Sequence, residues 1–263
     1  MRTANMTVAE ITELLNQAEL PETILAELHT DRRVSVIRLL EKWQKRKASL
    51  TREAARLQQL FLPEQEFRRQ GYECIVGVDE AGRGPLAGPL VVGAAILPFG
   101  CKLPSLNDSK KLSAAQRAVL YDEIKKKALS TKTVIVEVAD IDRLNIYQAT
   151  VQAMYQAIKT IGLKPQAALI DAVPLPELPI PANSLIGGDG LSASIAAASI
   201  LAKVERDRLM EELALLYPQY GFQNHKGYGT REHLKALAEY GPCPIHRTSF
   251  EPIKSWGGRQ DAS

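Results

Sequence analysis

The chain has 263 residues, of which 45% are hydrophobic and 24% charged, which is enough for one large or two modest domains with a real core. Lys and Arg outnumber Asp and Glu by 33 to 30, so net charge alone selects no partner, and only its distribution can. Three cysteines (Cys74, Cys101 and Cys243) lie far apart without Cys-x-x-Cys spacing, which argues against a disulfide or zinc scaffold and for a reducing compartment. The N-terminal residues lack a secretory apolar region, and no apolar run is long enough to span a bilayer. The expected location is the cytoplasm, with no membrane partner.

The first seventy residues read as a small all-helical domain. Thr7 to Glu10 has the capping-box form, and Val8, Ile11, Leu14 and Leu15 then recur at helical spacing. A second short helix is expected to start at Pro21, and a third from about Asp31 with Val36, Leu39, Leu40 and Trp43 on one face. Residues 1–30 carry five acids and one base, whereas Arg38, Lys42, Lys45, Arg46, Lys47, Arg52 and Arg56 make the end of the module basic. A solvated helix face is the favoured reading of that run, ahead of a nucleic-acid contact.

From Tyr72 the pattern changes, so residues 71–263 are expected to form a second, α/β domain. Cys74 to Asp79 and Leu90 to Leu97 read as strands joined by a Gly/Pro turn, Ser113 to Lys127 as a helix, and Thr131 to Val138 as a strand. Ile146 to Ile161 reads as a helix, and Ala167 to Ile170 as a strand covered on both faces. A proline-rich connection leads to a brief strand at Ser184 to Ile186. Leu191 to Leu216 is the longest helix, and its first half is small and apolar all round, as suits close packing on a sheet. Two quick β-runs followed by helix–strand alternation predict a mixed sheet with helices on both faces.

The acids supply the chemistry. Asp79 and Glu80 are adjacent like charges at a strand end, which calls for a cation. If the strands ending at Asp79 and Asp171 are parallel neighbours, both carboxylates emerge at the carboxyl edge where open α/β sheets place their sites. Asp189, within Gly187 to Gly190, can lie on the same edge. Side chains alternate along a strand, so Glu80 joins Asp79 only if the chain bends at once after it. An all-oxygen set of this kind suits Mg²⁺ or Mn²⁺, and two such ions would activate water and steady a leaving oxygen in phosphodiester hydrolysis. Taken singly, Asp189 reads more simply as a helix N-cap and Asp171 as the start of an Asp-turn. The loose G-x-G-x-x-A match at Gly82 to Ala87 is rejected as a dinucleotide site, because a strand follows it where a helix should.

Further segments suit a phosphate backbone. Leu106 to Ser113 is a polar, basic turn before a helix, whose N-terminal amides favour anions. Tyr228 stands between glycines as a platform for a sugar or base, or packs on the following helix. Lys203 and Arg206 share a helix face and read as solvated or paired with neighbouring acids.

Gly77 to Pro89, Asn107 to Leu112, Leu169 to Asp171, Ser194 to Val204, Lys226 to Thr230 and His246 to Phe250 together resemble the type 2 ribonucleases H, ribonuclease HII, in order over residues 72–256. The resemblance implies a ribonuclease H-like mixed five-stranded sheet flanked by helices, and two-metal hydrolysis of RNA embedded in DNA. By position it assigns metal binding to Asp79, Glu80, Asp171 and Asp189, and 2′-hydroxyl recognition to Gly82, Arg83 and Gly84. It assigns sugar stacking to Tyr228 and phosphate proximity to Asn107, Ser109 and Lys110. Many relatives read Lys-Gly-Asp-Ala where this chain has Gly187 to Gly190, which implies a weaker phosphate contact and a looser Asp189. The implied partners are RNA–DNA hybrids and DNA duplexes containing ribonucleotides, bound by a monomer. The helical N-terminus resembles an extension of some bacterial relatives. Two rivals are ribonuclease HIII, with its different N-terminal domain and acid set, and a nucleic-acid-binding module that has lost catalysis.

Overall fold

The computed structural model describes residues 3–16 and 20–257; Arg2 and Glu19, counted in the charge balance above, lie outside them. The chain separates into two compact units, Met1–Arg56 and Leu57–Ser263. That division falls before the expected boundary near residue 70, because Leu60, Phe61 and Phe67 are buried in clusters of the second unit.

In the first unit, α1 spans Val8–Leu15, α2 Glu22–Thr30 and α3 Val34–Leu60, the last from Leu57 onward belonging to the second unit. Thr7 and Glu10 form the predicted reciprocal cap of α1. Ile11, Leu15, Leu28, Val36 and Leu40 make a small core. Part of the basic stretch is engaged locally: Arg46 donates to Leu15 O at 2.8 Å, and Arg56 pairs with Glu53 at 2.8 Å.

In the second unit, α4 (Leu62–Arg69) precedes β1 (Ile75–Ala81) and β2 (Leu90–Ile96). Then come α5 (Ala114–Lys127), β3 (Ser130–Val136), α6 (Val138–Leu144) and α7 (Ile146–Thr160). β4 (Ala167–Asp171), β5 (Ala182–Leu185) and α8 (Ala193–Leu216) follow. The short helices α9 (Phe222–His225), α10 (Arg231–Tyr240) and α11 (Ile253–Gly257) complete the unit. The strands form one mixed sheet in the order β3-β2-β1-β4-β5, antiparallel on the β2 side of β1 and parallel on the β4 side. Val138, expected to end a strand, instead opens α6.

Val76, Val78, Val92 and Ala94 pack against Ala153, Met154 and Ala157 of α7 on one face of the sheet. α8 covers the other at very short range. A Cβ added to Gly77 would lie 2.1 Å from Ser194 C, and one on Gly93 2.2 Å from Ala198 O. This close approach explains why the first half of α8 is built from alanine and serine. Because the obstacle is backbone, Gly77→Ala is expected to cost about 3 kcal/mol or more, the upper end of overpacking. Thermal unfolding checks it; an unchanged melting temperature would contradict the packing described.

Candidate active site

The parallel register pairs Val78 of β1 with Ile170 of β4. One residue further on, Asp79 and Asp171 reach the carboxyl edge side by side, as the parallel-neighbour reading requires. Asp79 is 3% exposed. Its Oδ1 accepts from the Glu80 amide at 2.7 Å, and the Ser199 hydroxyl of α8 also bonds to the carboxylate. The bend expected directly after Asp79 does not occur, since Glu80 still pairs with Val92 and Ala81 with Val91. Strand alternation alone would send the two acids to opposite faces of β1, yet Glu80 stays within the electrostatic field of Asp171 and Asp189. Glu80 sits at the rim, its Oε1 3.8 Å from Arg83 Nη1.

Asp171 Oδ1 accepts from the Gly188 amide at 2.6 Å, which directs this side chain to the Asp189 turn and not to a local Asp-turn. Asp189 lies in a single 3₁₀ turn, Gly188–Gly190, and is not the cap of α8; Ser192 is, accepting from the Ile195 amide. Lys110 Nζ stands 3.7 Å from Asp189 Oδ2.

The four acids share one field. Burial pushes the Asp79 carboxyl well above the usual range, and the charges of Glu80 and Asp171 add to it. Burial also raises Glu80 to about 7, with Arg83 opposing and Asp171 and Asp189 reinforcing. Asp189 is raised by burial and then by the neighbouring Asp108. Repelling carboxylates held together in this way are a stored demand for positive charge. Two buried oxygens, Glu80 Oε2 and Asp189 Oδ2, have no hydrogen-bond partner. An all-carboxylate donor set with open acceptors fits a hard divalent cation. Among the described residues no three His, Cys, Asp or Glu side chains are already drawn to ligand spacing.

The Gly82 to Gly84 segment lies beside the acids. Gly82 has φ +102°, a turn conformation that side chains resist. Two arginines that sequence reasoning placed elsewhere or passed over fix this loop from below. Arg247 donates to Gly82 O at 2.7 Å, Arg83 O at 3.2 Å and Gly88 O at 2.8 Å. Arg206, read from sequence as solvated or paired, is instead buried and donates to Pro89 O, Lys226 O and Ala87 O. Burial and the nearby Arg206 charge lower Arg247 to about 9. No residue-type pattern marks either arginine as internal, although Arg247 falls within the His246 to Phe250 motif.

Tyr228 is 45% exposed, with the Arg206 guanidinium 6.0 Å from its ring centroid. Of the residues expected near phosphates, Lys110 is exposed and Asn107 half-buried. Ser109, the third of them, is buried. It is 4% exposed and its hydroxyl lies 2.9 Å from Ser199 Oγ, so it supports the Ser199–Asp79 contact from inside.

Two buried histidines, His233 and His246, support the Tyr228 loop. His233 Nδ1 donates to Tyr228 O at 3.0 Å, which leaves its Nε2 to accept from His246 Nε2 at 3.0 Å; His246 Nδ1 in turn accepts from the Cys243 amide. Every ring is satisfied in its neutral form. Burial and the facing His233 depress His246 to about 4. The unfolded chain takes this proton near pH 6.5, so stability is fully present above that pH and is lost as pH falls toward 4. We expect urea-unfolding free energies that decline over this window and a His246 imidazole resonance unshifted at pH 5. Titration of that resonance near 6.5 would contradict the network.

Comparison with known proteins extends these observations. The family model described as Ribonuclease HII matches residues 76–253, and its N-terminal domain model matches residues 7–68. A Ribonuclease HII of Pelotomaculum thermopropionicum is 47% identical over 260 residues, covering 98% of each chain. Another, of Desulfitobacterium hafniense, is 48% identical over 251 residues, 95% of this chain and 96% of that one. Among solved structures, the ribonuclease H2 of Pyrococcus horikoshii superposes with a TM-score of 0.63 at 26% identity, over 72% of this chain and 99% of that one.

Proposed function

The chain belongs to the ribonuclease HII family, metal-dependent nucleases that act on RNA–DNA hybrids, and on that premise we propose that it cuts on the 5′ side of ribonucleotides embedded in duplex DNA or in hybrids, leaving 3′-hydroxyl and 5′-phosphate ends. The observation that carries this reading is the meeting of Asp79 and Asp171 at the ends of parallel β1 and β4, with Glu80 and Asp189 in the same field. These four acids would hold two Mg²⁺ or Mn²⁺ ions. Bound there, the ions supply activation of water and charge stabilisation at the departing 3′-oxygen.

The chain's own groups do the rest. Asp79 is held at the edge of the sheet by Ser199 and the Glu80 amide. Arg247 turns the carbonyls of Gly82 and Arg83 inward, holding the Gly82 to Gly84 backbone rigid against a ribose 2′-hydroxyl. Tyr228 stacks on the sugar at the RNA–DNA junction, and Lys110, exposed at the rim, meets a backbone phosphate. Arg83 lies on the same rim beside Glu80. Such an enzyme would act in the cytoplasm as a monomer, removing misincorporated ribonucleotides and RNA primers. Among the described residues no helix is long and apolar enough to cross a membrane.

A duplex carrying a single ribonucleotide, incubated with Mg²⁺ or Mn²⁺, tests the proposal. The expected result is one cut 5′ to the ribonucleotide with the stated ends. Cutting confined to longer hybrids would contradict the single-ribonucleotide activity, and binding without cutting in either metal would make the chain an inactive module.

A further inference from the structure

Glu64 of α4 is a buried carboxyl that the mechanism above does not use. Its Oε1 accepts from the Ser192 hydroxyl at 2.6 Å and from the Ser194 amide at 2.8 Å. Ser192 is the cap of α8 and itself accepts from Ile195 N, so Glu64 and Ser192 between them satisfy two first-turn amides that the helix cannot. Burial raises the Glu64 carboxyl above its usual range, opposed by the bonds from Ser192 and Ser194, and the positive end of a helix of 24 residues favours its charged form. One turn further along α4, Phe67 packs with Ile195, Ile75, Ala167 and Leu169, clamping the same helix start to β1 and β4.

From this point hydrogen bonds run without interruption into the acid cluster. The amides of Ser192 and Leu191 both donate to Gly188 O, at 2.8 and 2.9 Å, and the Gly188 amide donates to Asp171 Oδ1. Asp189 itself faces Lys110 at 3.7 Å and hydrogen-bonds with Asp108. A Cβ on Gly187 or Gly190 would meet nothing within 4 Å, whereas one on Gly188 would lie 2.6 Å from Ile195 Cδ1, so the turn packs on the first turn of α8. The turn is thereby tied to the first turn of α8, which Glu64 caps and the close contact at Gly77 holds against the sheet.

We propose that Glu64 is a positioning residue for the metal site: by capping the start of α8 it holds the Gly188–Gly190 turn where Asp189 and Asp171 face the same divalent cation. This rests on the site reading above. A cap that served stability alone would alter melting and leave metal binding untouched.

The test is titration of the full chain with Mn²⁺ by calorimetry, alongside thermal melts, for Glu64→Ala, Glu64→Gln and Asp189→Asn. Glu64→Ala is expected to weaken Mn²⁺ binding about tenfold, the scale seen on removing outer partners of metal ligands. Glu64→Gln keeps an acceptor in place of Oε1 and should restore most of that loss. If Glu64→Ala does not fold, Ser192→Ala, which deletes one donor to Glu64, carries the same expectation. Native-strength Mn²⁺ binding in a folded Glu64→Ala protein with a lowered melting temperature would overturn the proposal alone. Native-strength binding in Asp189→Asn would overturn the site reading, and this proposal with it.

Discussion

Asp79→Asn is expected to lower turnover about 10³-fold or more, the scale of losing a preorganised charge at a reacting centre, while duplex binding changes little. The asymmetry follows from where Asp79 sits. It is buried beneath the edge of the sheet, so a polyanionic ligand does not touch it directly. Its contribution is charge, held by Ser199 and the Glu80 amide for a cation to use. Asparagine keeps the size and one acceptor but removes that charge. Stability should move the other way. Because burial and the adjacent acids raise the Asp79 carboxyl, its ionised form costs folding free energy at neutral pH, and the neutral amide relieves that cost. Turnover on a single-ribonucleotide duplex, gel-shift binding in EDTA and a thermal melt at pH 7.5 together check the expectation. An inactive variant that also melts far lower would point to a structural role for Asp79.

Tyr228→Ala is expected to lower kcat/KM on an isolated ribonucleotide by the equivalent of about 1–3 kcal/mol, the value of one aromatic stacking contact. The ring is exposed, and its backbone is secured independently of the side chain. His233 binds its carbonyl, and its amide donates to His225 O. Truncation therefore leaves the loop in place. The loss should be smaller on a long hybrid, where many 2′-hydroxyls offer alternative registers to the Gly82 to Gly84 backbone. Equal losses on both substrates would mean that Tyr228 does not read the junction. Tyr228→Phe, which keeps the stacking face, should behave nearly as the unaltered chain.

The legible parts of the fold were those governed by local periodicity or by strong end signals. Thr7 announces its helix through a capping box, and the box forms. Apolar continuity marks Leu90–Ile96 and Ala167–Asp171 as covered strands. The small-residue run in α8 anticipates its approach to Gly77 and Gly93. The placement of Asp79 beside Asp171 was legible because it needs only two buried strands to be parallel neighbours.

What stayed hidden depends on tertiary partners. The strand continues through Glu80 because Val92 and Val91 are there to pair with it, which no local pattern in β1 reveals. α4 resembles a continuation of the N-terminal helices, yet Glu64 and Phe67 commit it to the sheet-containing unit. Arg206 looks like any surface arginine on a charged helix. Its burial follows from two carbonyls of a loop more than a hundred residues away, Pro89 O and Ala87 O, and from Lys226 O twenty residues on. Ser109 sits in a polar turn that invites a solvent reading, and its partner Ser199 is ninety residues distant.

The central claim is that acids from β1, β4 and the turn before α8 jointly seat hard cations. Anomalous diffraction from crystals grown with Mn²⁺ and an uncleavable ribonucleotide-containing duplex addresses it most directly. The account expects manganese peaks bounded by Asp79, Glu80, Asp171 and Asp189, adjacent to the phosphate on the 5′ side of the ribonucleotide. Manganese held elsewhere, or contacting Asp79 while Asp171 and Asp189 remain turned away, would contradict it.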